Sequence, residues 1–328
     1  MNLMSSDLMD PLRVSTFTLK DRHFLDIPQM NRVEVDALLT LADQYATFNQ
    51  GTVKKLERLR GRSVMMAFFE NSTRTLASFD MAAKRLGADV IVLPMAASST
   101  AKGESFVDTI KTLDAMRPDL MVIRHSAAGA PALAAQISDA SIINAGDGAH
   151  AHPTQALLDA LTLQRAFGTV AGLKIAICGD IMHSRVARSN IALLTMLGAD
   201  VRLAAPPTLM PRGFEAMGIP TFTKLDHAIE DADVVMMLRV QRERMTGAFT
   251  PSTREYFRFF GLTGDKLKAL APRARVMHPG PMNRGVEISA ALADHPTLSL
   301  ITDQVEHGVA VRMAVLDAVM SNREAAGL

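Results

Sequence analysis

Cysteine is nearly absent: Cys178 is the one thiol in 328 residues. A single thiol excludes an intrachain disulfide and a cysteine-built zinc site. It lies inside the apolar run Lys174-Ile175-Ala176-Ile177-Cys178-Gly179, where a thiol packs as a small hydrophobe rather than reacting. Net charge is nearly absent too, at +1. That leaves no electrostatic footprint for nucleic acid or an anionic membrane surface as partner. No apolar run approaches the ~20 residues of a membrane-spanning helix. Residues 1–12 contain acids and no signal-like apolar core, so a cytoplasmic location is expected. Short-period repeats and low-complexity segments are also missing. What is present, 48% hydrophobic and 21% charged residues, supplies ample core, and the length accommodates two domains of ordinary size.

The most informative stretch runs from Phe68 to Asp80. The unbroken apolar run Val64-Met65-Met66-Ala67-Phe68-Phe69 reads as a buried strand. Asn71, Ser72 and Thr73, all good N-cap types, follow it, and then Leu76, Phe79, Ala83 and Leu86 recur at helical spacing. Ser72-Thr73-Arg74-Thr75 therefore falls where a strand gives way to a helix. Such a junction offers free backbone N–H groups and the positive end of a helix dipole. The hydroxyls of Ser72, Thr73 and Thr75 add donors, and Arg74 adds a planar fork suited to phosphate oxygens. Taken alone, the stretch is either a phosphate cradle or an ordinary N-cap with a solvated arginine.

Elsewhere, residues 1–15 read as a loose arm. Periodicity predicts helices over residues 31–48, 104–116, 131–137, 152–167, 185–197, 223–230, 264–270 and 307–321. Strands are expected over 88–94, 119–124, 140–144, 174–178, 200–205, 233–238 and 275–277. Two successive sets of alternating strands and helices predict an α/β protein of two domains, each a parallel sheet flanked by helices. In such sheets ligands bind beyond the carboxyl ends of the strands, here in the interdomain cleft. The polar clusters lie at those ends, after Phe69, Leu93, Cys178, Leu238 and Met277 among others. The helix from His152 and the terminal helix are expected to form a lid between the domains.

Several clusters carry chemistry. Ser98-Ser99-Thr100-Ala101-Lys102-Gly103-Glu104 is either a solvated loop or a mobile loop that brings the Lys102 charge to an anion. In Asn144-Ala145-Gly146-Asp147-Gly148-Ala149-His150-Ala151-His152-Pro153-Thr154-Gln155, glycines allow close backbone approach and Pro153 suits a first helical turn. His152 and Gln155 project from one face of that turn. His150 and His152 lack a third ligand by spacing, so a neutral histidine donating to a substrate carbonyl fits better than a metal site. Arg239 and Gln241 alternate to the same side of an extended tail and could hold a carboxylate, although a charge run there is more often a solvated face. Gly179-Asp180-Ile181-Met182-His183-Ser184-Arg185 lacks the further glycines of a dinucleotide turn, and Arg185 at a helix start suits an anion. His278-Pro279-Gly280-Pro281 is a plain turn or a substrate-facing loop. No metal and no cofactor is expected.

Ser72-Thr73-Arg74-Thr75 after Phe-Phe-Glu-Asn, His152-Pro153-Thr154-Gln155 and His278-Pro279-Gly280-Pro281, in that order, resemble the aspartate/ornithine carbamoyltransferases. The likeness runs from about residue 20 to the C-terminus. Within that family Arg239-Val240-Gln241, Lys102-Gly103-Glu104 and Pro279 in place of cysteine look like the aspartate branch. The resemblance implies carbamoyl transfer from carbamoyl phosphate to the α-amine of L-aspartate, in pyrimidine biosynthesis. It implies a carbamoyl-phosphate domain over residues 1–155, completed by the C-terminal helix 306–328, and an aspartate domain over 156–305. Ser72, Thr73, Arg74 and Thr75 would bind the phosphate with Arg124. Thr75, Arg124 and His152 would polarise the carbonyl. Gln155 and the backbone at Gly280 and Pro281 would hold the carbamoyl amide, and Arg185, Arg239 and Gln241 the aspartate. Ser98 and Lys102 would reach the active site of a neighbouring subunit, making a homotrimer with shared sites. Met282-Asn283-Arg284-Gly285-Val286-Glu287-Ile288 and the stretch from Asp303 to Ala310 resemble members without a zinc-bearing regulatory chain, some of which pair with a dihydroorotase or dihydroorotase-like chain. Two competing readings are another acceptor such as ornithine, and a catalytically silent scaffold. The presence of Arg74, Lys102, Arg124 and His152 together favours an enzyme.

Overall fold

The computed structural model describes residues 17–93, 103–241 and 252–327; the expected N-terminal arm lies outside them. The first half begins with α1 (Arg32–Asn49), entered through a capping box in which Asn31 and Glu34 satisfy each other's backbone N–H. Then come β1 (Ser63–Phe68), α2 (Thr73–Arg85), β2 (Asp89–Leu93), α3 (Phe106–Asp114), β3 (Leu120–His125), α4 (Ala130–Ile137), β4 (Ser141–Asp147) and α5 (Pro153–Phe167). Its four strands pair in the order β2-β1-β3-β4, all parallel. The central strands β1 and β3 are buried almost along their whole length because helices cover both faces.

The second half holds β5 (Lys174–Cys178), α6 (Arg185–Met196), β6 (Asp200–Ala204), β7 (Thr221–Phe222), α7 (Leu225–Ile229), β8 (Val234–Met237), α8 (Thr253–Phe260), α9 (Gly264–Leu270), β9 (Arg275–Met277) and α10 (Ala290–Ala293). Its five strands run β7-β6-β5-β8-β9, again all parallel. The expected two-domain, parallel-sheet α/β architecture is therefore present. Cys178 is buried in β5, and burial pushes its thiol pKa up.

Beyond the short β7 and α10, which no pattern marked, three expectations needed correction. The last helix, α11 (Ile301–Ala325), starts six residues before the expected His307, because the polar stretch Thr302 to Glu306 hid its first turns. The helix α8 was not expected at all. It buries only Tyr256 and Phe260, one turn apart, so its eight residues show no broad apolar stripe. Thirdly, α5 and α11 are no lid. Residues of α5 from Pro153 to Leu163 are all buried, and α5 packs against α1 and α11 on one side and α6 on the other. It is a shared spine.

That spine explains why one apolar core runs through both sheets, from Phe24 in the first half to Met320 in α11. A smaller core under α3 and α4 covers the other face of the first sheet. Each fully buried Leu, Phe or Met in them contributes roughly 2 kcal/mol. The helix α11 returns to the first half and packs on α1, α2 and α5. Tyr45 Oη donates to Asp317 Oδ2 at 2.6 Å, and Arg58 Nη2 pairs with Asp317 Oδ1 at 3.0 Å, pinning α11 to α1 and to the loop before β1. No described helix is long and apolar enough to cross a membrane.

Candidate active site

Each sheet has one place where neighbouring connections leave in opposite directions, between β1 and β3 in the first and between β5 and β8 in the second. Such switch points open a crevice at the carboxyl ends of the strands. The two crevices face one another across a cavity of about 660 Å³. Residues from Glu70 to Thr75, Arg124, His152 and Gln155 line it from one side, and Arg185, Arg239, Gln241 and the loop from His278 to Pro281 from the other. Among the described residues, six arginines line this cavity and one carboxylate, Glu70. That imbalance selects for a ligand carrying several negative charges.

At the head of α2, Ser72 takes extended N-cap backbone angles but its side chain caps nothing. The first N–H groups of the helix and the nearby hydroxyls are thus left to the cavity. Thr75 is buried, whereas Arg74 is exposed. Burial and then the neighbouring Arg239 guanidinium push Arg74 down from its ordinary pKa, as expected when two cations share a cleft. The guanidinium of Arg74 lies over Gly280, which has φ +65°; a Cβ there would come within 3.2 Å of Arg74 Nε.

The floor is built on a second glycine. Gly146 has φ +118°, and a Cβ on it would sit 3.0 Å from Arg124 Nη1 and 3.2 Å from Arg185 Nε. Arg124 also donates to Ala145 O at 3.1 Å and pairs with Glu70 at 3.5 Å. Arg185, at the start of α6, donates through Nη1 and Nη2 to the two Glu70 oxygens at 2.8 and 3.0 Å, and through Nη1 to Gly148 O at 3.2 Å. Glu70 therefore fastens the end of β1 to the second half. It also occupies much of the Arg185 fork that sequence reasoning reserved for an acceptor carboxylate.

His152 is the N-cap of α5 and is buried. Burial, followed by the charges of Arg124, Arg185 and Arg312, holds its pKa well below the usual histidine value, so the ring is neutral. Its Nδ1 has no hydrogen-bond partner among the described residues. One turn on, Gln155 Nε2 donates to Asp159 Oδ1 at 3.0 Å. On the opposite wall Gln241 donates through its side chain to His183 O and through its backbone to Asp180. His278 Nδ1 accepts from Gly280 N–H at 2.9 Å, which leaves Nε2–H to face the buried Glu287 carboxylate at 3.3 Å.

The structure thus gathers Ser72, Thr73, Arg74, Thr75, Arg124, His152, Gln155, Arg185, Arg239, Gln241, Gly280 and Pro281 around one cavity. Ser98 and Lys102 lie outside the described residues, as do Arg242 and Arg244. His150 is drawn away to Asp147 and Asp26. Among the described residues no group of three His, Cys, Asp or Glu is placed to hold a metal ion. Sequence reasoning missed Glu70, Asp159, Gln304 and Arg312. Asp159 and Arg312 did carry a signal, each being a lone charge inside an apolar helical run. Arg312 is buried, and its pKa is pushed down to about 10 by that burial.

Fold and cleft together define a two-domain α/β protein with an arginine-rich cleft between paired parallel sheets. The comparisons narrow this. Residues 22–165 match the carbamoyl-P binding domain model of aspartate/ornithine carbamoyltransferase, and residues 171–319 match its Asp/Orn binding domain model. The chain belongs to the aspartate/ornithine carbamoyltransferase family. An aspartate carbamoyltransferase catalytic subunit of Caulobacter sp. (strain K31) is 57% identical over 97% of this chain and 95% of its own length. That of Chelativorans sp. (strain BNC1) is 59% identical over 92% and 94%. Among solved structures, aspartate transcarbamoylase from Trypanosoma cruzi in complex with carbamoyl phosphate superposes with a TM-score of 0.83 at 31% identity, covering 94% of this chain and 99% of that one. The same enzyme with carbamoyl phosphate and aspartate gives 0.82 at 32%, covering 92% and 97%.

Proposed function

We propose that the protein is an aspartate carbamoyltransferase: it transfers the carbamoyl group of carbamoyl phosphate to the α-amine of L-aspartate, giving N-carbamoyl-L-aspartate and phosphate, a step of pyrimidine biosynthesis. The observation that carries this is the arginine-rich cavity with the head of α2 on one wall and Arg239 and Gln241 on the other. The relatives named for aspartate, and the T. cruzi enzyme bound to both substrates, favour aspartate over ornithine as acceptor.

In this reading the first N–H groups of α2, the hydroxyls of Ser72, Thr73 and Thr75, and the Arg74 fork hold the phosphate. Thr75, Arg124 and neutral His152 donate to the carbonyl oxygen and meet the charge that grows on it as the carbon becomes tetrahedral. A neutral imidazole still carries one N–H, which it can donate to the carbonyl oxygen. Gln155 and the backbone at Gly280 and Pro281 hold the carbamoyl NH₂. Arg239 and Gln241 bind the acceptor carboxylates, and Arg185 joins them where Glu70 leaves its fork accessible. The amine nitrogen bonds to the carbonyl carbon, the carbon–oxygen bond to phosphate breaks, and the proton shed by the amine goes to the departing phosphate. Closing the two walls excludes water from a labile donor.

Ser98 and Lys102 complete the site from a neighbouring subunit, so the catalytic unit is a homotrimer. The carbamoyl-phosphate domain spans residues 1–155 with the terminal helix, and the aspartate domain 156–305. A cytoplasmic location and a dihydroorotase or dihydroorotase-like partner complete the proposal. The test is carbamoyl transfer with L-aspartate and with L-ornithine at equal concentration. Turnover with aspartate alone is expected. Turnover with ornithine alone overturns the acceptor assignment, and none with either, in a folded protein, returns the silent scaffold.

A further inference from the structure

Beneath Gln155 lies a carboxylate that the reaction itself does not use. Asp159 is fully buried and receives three carboxamide donors: Gln155 Nε2 at 3.0 Å and Gln304 Nε2 at 2.6 Å on Oδ1, and Asn190 Nδ2 at 2.8 Å on Oδ2. Two of the three are held by other partners. Gln304 Oε1 must accept the His278 N–H, at 2.9 Å, which turns its Nε2 toward Asp159. Asn190 Nδ2 also donates to Val186 O at 3.1 Å. Gln155 differs, since among the described residues its amide donates to Asp159 alone.

A carboxamide has one donating end and one accepting end, and they are nearly the same shape. Which end of Gln155 meets the cavity is decided by what the other end meets. An ionised carboxylate only accepts, so Nε2 must face it and Oε1 is left to the cavity. We propose that Asp159 is a positioning residue that sets donor specificity: it holds Gln155 so that an acceptor, never a donor, faces the group attached to the transferred carbonyl. A donor with NH₂ at that place gains a hydrogen bond, and one with CH₃ leaves Oε1 unpaired. The inference rests on the reading above that carbamoyl phosphate is the donor, and deepens it to carbamoyl phosphate against acetyl phosphate, which differ by that one group.

Other features agree. Three donors converging on one group need acceptors on both oxygens, which asparagine lacks. Burial pushes the Asp159 carboxyl up to about 6, against the pull of its three donors and of Arg312, so at neutral pH it is the charged acceptor. The network also spans α5, α6 and α11, so Gln155 is oriented by the assembled pair of domains.

The test compares Asp159→Leu with wild type for three ligands: KM for carbamoyl phosphate, and inhibition constants for acetyl phosphate and for inorganic phosphate. Leucine offers no acceptor, so Gln155 is no longer held in one orientation. Binding of carbamoyl phosphate is then expected to weaken roughly tenfold, with the other two within about twofold. In a Gln155→Leu background the same substitution should add nothing to the ratio, because its route is gone. Asp159→Asn is the control: Oδ1 serves both Gln155 and the fixed Gln304, so asparagine keeps its oxygen on that side and is expected to retain the discrimination. If the leucine variant does not fold, Asp159→Ala, which also removes the acceptor, decides. Equal weakening of all three ligands, an unchanged ratio, additive effects in the Gln155→Leu background, or a folded asparagine variant without discrimination would each overturn the proposal. A wild-type protein that turns over no carbamoyl phosphate would instead sink the donor reading.

Discussion

Arg74 packs over Gly280 at the cavity wall, and each tests the other. Arg74 is exposed and touches none of the core, so Arg74→Ala should leave the fold intact while removing a charge aimed at the phosphate. We expect kcat to fall roughly a hundredfold to a thousandfold, with circular dichroism and Tm unchanged. An aggregated variant, or one with wild-type turnover, would count against the assignment. Gly280→Ala places a methyl group 3.2 Å from Arg74 Nε at a φ of +65°. The side chain that moves most easily is Arg74. The expected result is a loss of carbamoyl-phosphate affinity of about tenfold or more, with a Tm shift of only a few degrees. At this scale the sequence was most legible where several polar residues cluster at a strand end. It was least legible where one buried polar side chain serves another, as Gln304 serves Asp159, because neither spacing nor composition marks such a pair.

At the scale of elements, the contact between the end of β1 and the start of α6 joins the two halves through one carboxylate. Glu70→Gln removes the charge that holds the Arg185 fork and leaves that mostly buried arginine without an anion. Steady-state kinetics should show KM for aspartate raised about tenfold, since Arg185 loses the partner that fixes its direction. An unchanged KM would mean that the Gly148 carbonyl and the packing on Gly146 suffice to hold it. Most elements could be read from period alone, because their strands are uninterrupted apolar runs and their helices carry clear stripes. The exceptions have physical reasons. The helix α8 buries two aromatics and little else, β7 is two residues long, and α11 begins with polar residues where it leaves the second half.

The molecule as a whole carries four histidines, His23, His125, His152 and His307, whose pKa values burial holds below the ordinary value, His23 to about 4. In each case the unfolded chain binds a proton below about 6.5 that the folded chain refuses. Stability therefore falls as pH drops through 6.5 toward the folded values. Asp159 and Asp26 oppose this. Their folded carboxyls are raised, Asp159 to about 6, so each adds stability as pH falls through its own folded value. Four groups outweigh two, and they act first. Tm should be lower at pH 5.5 than at pH 7.5, by roughly 5 °C. A Tm that is flat or higher at pH 5.5 would mean that the histidines titrate normally.

The return of α11 to the first half bears on how the chain is made. A ribosome releases the first sheet early, yet the groove formed by α1, α2 and α5 stays unfilled until residues 301–325 have emerged. The half that is synthesised first is therefore completed last, against the usual order in which N-terminal domains settle during translation. A premature stop just before α11 would spare every strand of both sheets. It would still leave α1 and Tyr45 without their partners, and so cost the whole protein rather than its tail.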